Sequence, residues 1–201
     1  MPKLLDCFCG LGGVSDGFAL EGFDVLGIDI INMSELGYKH KFIQTDFLTL
    51  KGEDFSGYDV IWGSPPCRDF SELARMGKGS MRKNGTYMRW KIPPDPRHGL
   101  ELVHVFLKFV DDAKPKFWVL ENVANLAKYL EMKPEIMNAK IWGGKHHVFY
   151  GNFPPFLMPY QERNIMHMDV RGGKLRPWLR AKIPLTCSRA FAHACKEALL
   201  E

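Results

Sequence analysis

Two side chains stand out for the chemistry their settings would allow. Cys67 comes after two prolines in "GSPPCRDFSE" (63–72), directly behind the apolar run "YDVIW" (58–62). A residue before proline is driven to extended geometry and each proline has a fixed φ, so Ser64-Pro65-Pro66 is a stiff bracket that aims the Cys67 thiol. A lone cysteine is more often a small buried hydrophobe, but one bracketed in this way reads as a nucleophile. Arg68 beside it favours the thiolate, the reactive form. Glu121 is the second. It closes the apolar run of "WVLENV" (118–123), which reads as a central strand. An ionised carboxylate is costly there and desolvation raises its pKa, so Glu121 is expected to hold its proton and donate a hydrogen bond. Asn122 can fix the adjoining loop through side chain-to-backbone bonds. A Glu-Asn capping pair at a strand-to-helix turn is the plainer alternative.

A third constellation concerns a ligand. "DCFCGLGG" (6–13) carries Gly10, Gly12 and Gly13 between a predicted strand and a predicted helix. Glycines let the backbone curl close to a bound group, and a helix N-terminus offers N–H groups to an anion. Asp29 and Asp46 end the next two predicted strands. In a doubly wound sheet those ends line one crevice, where an acid after the second strand commonly holds ribose hydroxyls. A generic tight turn would explain the glycines but not the two acids. NAD is a poorer fit, because the turn reads G-L-G-G rather than G-x-G-x-x-G. S-adenosylmethionine fits better, its carboxylate taking the place of a pyrophosphate.

The scaffold around these groups is legible in short apolar runs alternating with helical patterns, which argue for parallel strands and crossover helices. Strands are expected at 3–8, 24–29, 41–46, 58–63, 115–122 and 146–152. Helices are expected at 13–22, at 96–114 (Leu100, Val103, Leu107 and Val110 at helical spacing), and from 188 to 200. The fold class is therefore α/β: a doubly wound, mostly parallel, Rossmann-like sheet. With 201 residues, 46% apolar and 25% charged, the chain suits one globular domain. No run approaches ~18 apolar residues, and the N-terminal glycines do not suit a secretory leader. Five cysteines without paired zinc spacing point to reduced thiols, no metal site and a cytoplasmic location. The net charge of +4 is mild, but eight Lys/Arg face three acids between Arg68 and Arg97, a polyanion-facing bias.

Taken together and in this order, "DCFCGLGGVSDGF", "GSPPCRDFS" and "LENV" resemble the signature motifs of the cytosine-5 DNA methyltransferase family, over roughly residues 3–151. The resemblance implies the S-adenosylmethionine-dependent methyltransferase type of fold. It implies that Phe8, Gly10, Leu11, Gly12 and Gly13 contact S-adenosyl-L-methionine, that Asp29 takes the ribose hydroxyls, and that Asp46 with Phe47 takes the adenine, with Ile30 a further cofactor contact. Pro65 and Ser188 are further cofactor candidates. Cys67 becomes the nucleophile and Glu121 the acid that reads the pyrimidine edge. Ser64, Pro66, Arg68, Ser71, Asn122 and Val123 would line the substrate, with Arg82 and Lys83 on DNA. The partner implied is DNA with a flipped cytosine. RNA is the alternative, since a related branch modifies tRNA, and a non-catalytic DNA-binding relative is a third reading.

The chain departs from the family at two places. The family's Gln-x-Arg-x-Arg element corresponds to "GGKHHVF", with Lys145 and His147 in the arginine positions. These are catalytic candidates, although Lys145 lacks the bidentate fork and His147 is only partly charged near neutrality. The second departure is size. Residues 1–152 read as the catalytic domain, 153–182 as a very small target-recognition insertion, and 183–201 as a helix packing back. About thirty residues are too few for an independent core. The family's final Gly-Asn-Ser is replaced by "PLTCSRAFAHA" (184–194).

Overall fold

Strand β1 (Lys3–Cys7) is buried from Leu4 onward, and its neighbours on both sides are parallel strands. The computed structural model describes residues 1–71, 95–142, 145–157 and 175–201. Its other strands are β2 (Asp24–Asp29), β3 (Lys41–Gln44), β4 (Val60–Gly63), β5 (Phe117–Val123), β6 (Ile136–Trp142) and β7 (Lys145–Asn152). They form one seven-stranded sheet in the order β3-β2-β1-β4-β5-β7-β6, with β7 antiparallel to both its neighbours. The strand order reverses between β1 and β4. The carboxyl ends of β1, β2, β4 and β5 therefore open on one crevice.

Helices cover both faces. On one side α1 (Gly13–Leu20) packs against α4 (Leu185–Leu200), burying Val14, Phe18, Phe191 and Cys195 with Trp62 and Phe149 of the sheet. On the other, α2 (Pro96–Ala113) buries Val103, Phe106, Phe109 and Val110 against Leu5, Ile61 and Leu120. Asp95 caps α2 by accepting from the Arg97 N–H, and Pro96 begins the helix where its missing donor is not needed. Alternation along β1 and β4 sends successive side chains to opposite clusters, so the strands read as continuous apolar runs rather than alternating ones.

Two elements have no counterpart in the sequence pattern. β6 is an edge strand whose pairing with β7 shifts register twice, which erases the period-2 signal. A short helix, α3 (Arg176–Ala181), lies inside residues 153–182, where no apolar period marks one. The final helix also begins three residues earlier than expected, at Leu185 after Pro184. Among the described residues, no helix is long and apolar enough to cross a membrane.

Candidate active site

The glycine turn leaves β1 through Phe8 (φ 60), Gly10 (φ 50) and Gly12 (φ 74), three left-handed residues within five. A non-glycine residue in this region is strained, and such strain is kept where surrounding structure imposes it. Phe8 packs its ring on Phe47 at 4.7 Å, and Phe47 in turn reaches Phe109 at 4.9 Å. The turn is close-built. A Cβ on Gly12 would stand 3.1 Å from the Tyr38 ring, and one on Gly13 2.5 Å from the Ile183 backbone nitrogen.

Asp29 closes the turn from β2. Its Oδ2 accepts from the Gly10 N–H and its Oδ1 from the Ile31 N–H, both at 3.1 Å. Desolvation raises its pKa, and the backbone bonds partly offset this. Each carboxylate oxygen has further acceptor capacity, so this acceptor pair suits the two hydroxyls of a vicinal diol, as a nucleoside would present. Ile30 is 60% exposed beside it. Asp46 is half-buried and accepts from the Leu48 N–H at 3.0 Å, capping the short turn in which Phe47 is buried.

Beneath the turn lies Asp6, which its motif alone does not mark as special. It is buried, accepts from the Ser15 N–H at 3.1 Å and from the Ser15 hydroxyl at 2.6 Å, and the network continues to the Tyr38 hydroxyl at 2.8 Å. Burial, partly offset by these bonds, raises its pKa to about 7. An acid inside an otherwise apolar strand, just before the glycines, is the signal that could have found it.

The Cys67 loop comes after β4. The Ser64 N–H bonds the Cys7 carbonyl at 3.3 Å, tying the loop to β1. Its hydroxyl accepts from the Trp62 indole at 2.9 Å, so Ser64 is already engaged below the crevice. Pro65 is buried, Pro66 is exposed, and Cys67 is exposed at the start of a short 3-10 turn (Cys67–Phe70). Arg68 turns its Nε to Asp69 at 3.3 Å. Asp69 Oδ1 also accepts from the Asp95 N–H at 3.3 Å, which ties the N-cap of α2 to the turn that carries the thiol. Arg82 and Lys83 lie outside the described residues. Ser71 ends the turn, half-buried.

Glu121 lies near the end of β5 and is 7% exposed. His147 of β7 meets it, Nδ1 to Oε1 at 2.5 Å, because the antiparallel register sets the two on one face two rungs apart. The Nε2 of His147 is buried with no hydrogen-bond partner among the described residues. Lys145 opens β7, and its side chain is outside the described residues. Asn122 donates to the Pro65 carbonyl at 3.0 Å and accepts from the Val123 N–H at 2.9 Å. At 1% exposure, it braces the Cys67 loop rather than touching a substrate.

Ser188 requires correction. It is fully buried between α4 and α1, where its hydroxyl donates to the Gly13 carbonyl at 2.9 Å. It supports the glycine turn from behind, its hydroxyl bonded to backbone carbonyls rather than open to the crevice. Lys182 and His40 both bond Asp16 on α1, at 2.7 and 2.9 Å. Desolvation pushes the Asp16 carboxyl up, but these two partners outweigh it and hold it below the usual range.

Residues 2–139 match the family described as C-5 cytosine-specific DNA methylase. The Type II methyltransferase M.FnuDI of Fusobacterium nucleatum is 31% identical over 129 residues, covering 62% of this chain and 33% of the relative. M.XorII of Xanthomonas oryzae is 26% identical over 191 residues, covering 86% and 41%. The chain thus spans about a third to two fifths of the length of these relatives. Among solved structures, an E. coli prophage protein described as a putative DNA modification methyltransferase superposes with a TM-score of 0.50 at 22% identity, covering 75% of this chain and 46% of that one. That likeness concerns the fold. Over more than half its length, this chain belongs to the C-5 cytosine-specific DNA methylase family.

Proposed function

We propose that the protein transfers a methyl group from S-adenosylmethionine to carbon 5 of a cytosine in DNA, through a covalent adduct on Cys67 with the base turned out of the duplex. Carbon 5 of cytosine is too weak a nucleophile to be methylated unaided. The Cys67 thiolate adds at carbon 6, forming a carbon–sulfur bond and driving electron density toward ring nitrogen 3. Glu121 gives that nitrogen its proton, which leaves carbon 5 enamine-like. The His147 Nδ1 lies against the Glu121 carboxyl, and as a donor it would stabilise the carboxylate so formed. When bound, S-adenosylmethionine supplies the methyl group as an electrophile on positively charged sulfur. Release of the carbon 5 proton to solvent, of the thiolate from carbon 6, and of the nitrogen proton back to Glu121 restores the ring. A stacked base offers neither face to this chemistry, hence the flipped base.

The observation that carries this reading is the buried Asn122–Pro65 bond of 3.0 Å, which fixes the Cys67 loop to the strand end holding Glu121. The glycine turn, with Asp29 bonded to Gly10, is the proposed cofactor cradle, contacted by Phe8, Leu11, Ile30 and the Asp46–Phe47 turn. Residues 1–152 act as the catalytic domain and 153–182 as a short recognition segment, of which 158–174 lie outside the described residues. The helix in 183–201 holds the cradle from behind. Pro66, Arg68, Ser71 and Val123 are the substrate-side residues near the thiol.

Incubation with tritiated S-adenosylmethionine and either duplex DNA or tRNA tests the proposal. Label in DNA that is lost in Cys67→Ser is the expected result. Label in tRNA alone would move the substrate to RNA. Cofactor binding without transfer to either would leave a DNA-binding relative.

A further inference from the structure

We propose that Trp178 forms one wall of the cofactor site and presents its indole to the positively charged sulfur of the methyl donor. The inference rests on the S-adenosylmethionine reading above and adds a residue from the far end of the chain. Trp178 lies on α3, where the chain crosses the glycine turn. A Cβ on Gly10 would stand 3.8 Å from the indole Cδ1. The ring packs against the cluster of Cys9, Met33 and Tyr38 yet stays only half-buried, so part of it remains open. Gly10 is the residue whose N–H bonds Asp29 at 3.1 Å. Trp178, Gly10 and Asp29 thus gather at the carboxyl ends of β1 and β2.

The placement is held by several independent contacts. Lys182 bonds Asp16 on α1 at 2.7 Å. The Ile183 backbone passes so near Gly13 that a Cβ there would lie 2.5 Å from its nitrogen and 2.6 Å from its oxygen. Ser188 bonds the Gly13 carbonyl at 2.9 Å. These contacts hold the chain that follows α3, and the packing of the indole on Cys9, Met33 and Tyr38 limits the freedom it can lose when a ligand arrives.

Aromatic faces attract cations, and tryptophan does so most strongly. S-adenosylmethionine carries its sulfonium one carbon from the ribose that Asp29 would hold. The product of transfer keeps the same nucleoside but has a neutral thioether. Trp178 therefore favours the donor over the product, which aids turnover.

The test is calorimetric titration of the full chain with S-adenosylmethionine and with S-adenosylhomocysteine, for wild type, Trp178→Leu and Trp178→Phe. Trp178→Leu should weaken the donor by roughly 2- to 30-fold and the product much less. Trp178→Phe, which keeps an aromatic face and the packing, should fall between. Quenching of intrinsic fluorescence by the donor should be reduced in both variants. Unchanged donor affinity in a folded Trp178→Leu protein overturns the proposal. So does equal weakening of both ligands, which would mark a packing role only. A wild-type protein that binds neither ligand would instead overturn the cofactor reading itself.

Discussion

Asn122 engages the backbone with both ends of its amide, donating to the Pro65 carbonyl at 3.0 Å and accepting from the Val123 N–H at 2.9 Å. The strand end that carries Glu121 and the loop that carries Cys67 are thereby one unit. Asn122→Ala leaves the buried Pro65 carbonyl without its donor, at a cost of about 1–3 kcal/mol. The melting temperature should drop, and methyl transfer should fall more than cofactor affinity does. Thermal melts run beside transfer and binding assays check this. An unchanged rate would mean the thiol loop is positioned by other contacts.

The thiols should be separable by reactivity. Cys67 is exposed, whereas Cys7, Cys9, Cys187 and Cys195 are buried. Burial pushes the Cys7 and Cys9 thiols well above their ordinary range, and those of Cys187 and Cys195 up to about 12. A brief pulse of iodoacetamide at neutral pH should alkylate Cys67 alone, read by peptide mass spectrometry. Cys67→Ser should escape labelling, keep cofactor binding, and lose transfer by several orders of magnitude, since a hydroxyl is a far weaker nucleophile. Near wild-type turnover in that variant would end the adduct mechanism.

His147 is the residue that the family resemblance would set at an arginine position, and it meets the buried Glu121. Removing it in His147→Ala leaves a buried carboxyl without its partner, which costs about 1–3 kcal/mol in stability and should slow transfer. His147→Arg supplies a permanently charged donor and should recover transfer above the alanine level. Single-turnover rates at saturating cofactor make the comparison. Equal rates in all three proteins would remove the pair from base activation.

Asp6 gives a pH signature of defined sign. Its folded pKa of about 7 lies above the ordinary value of 3.8, mainly through burial. Between those values the folded protein keeps a proton that the unfolded chain has released. Its contribution to stability is therefore fully present below about pH 4 and is lost as pH rises toward 7. Asp6→Asn keeps an acceptor for Ser15 but cannot titrate. Urea melts of both proteins across this range should show wild type losing stability relative to the variant, by an amount on the order of a few kcal/mol. Parallel curves would show that Asp6 stays ionised when folded.

The local features of this protein were legible in its sequence because they depend on a few neighbouring residues. Glycine at positions 10, 12 and 13 set the turn after β1, since φ values of 50 and 74 at Gly10 and Gly12 favour glycine and Gly13 lies too close to Ile183 for a side chain. Two prolines set the approach to Cys67, and the apolar run before Glu121 marked a central strand. Such restrictions act between near neighbours and survive in any tertiary context. β6 was not legible, because an edge strand with two register shifts carries no period.

Tertiary structure alone decided which of these pieces meet. The Glu121–His147 contact needs β7 antiparallel to β5 in one particular register, and the Asn122–Pro65 bond needs β4 beside β5. Ser188 looked like a ligand contact from its place in the chain, yet the packing of α4 on α1 turns it away from the crevice and onto Gly13. Lys182 reaches Asp16 across 166 residues, and Trp178 reaches Gly10 by the same route. Partners so far apart in sequence are selected by sheet order and by the fit of buried surfaces, which are properties of the whole fold and not of any window of residues.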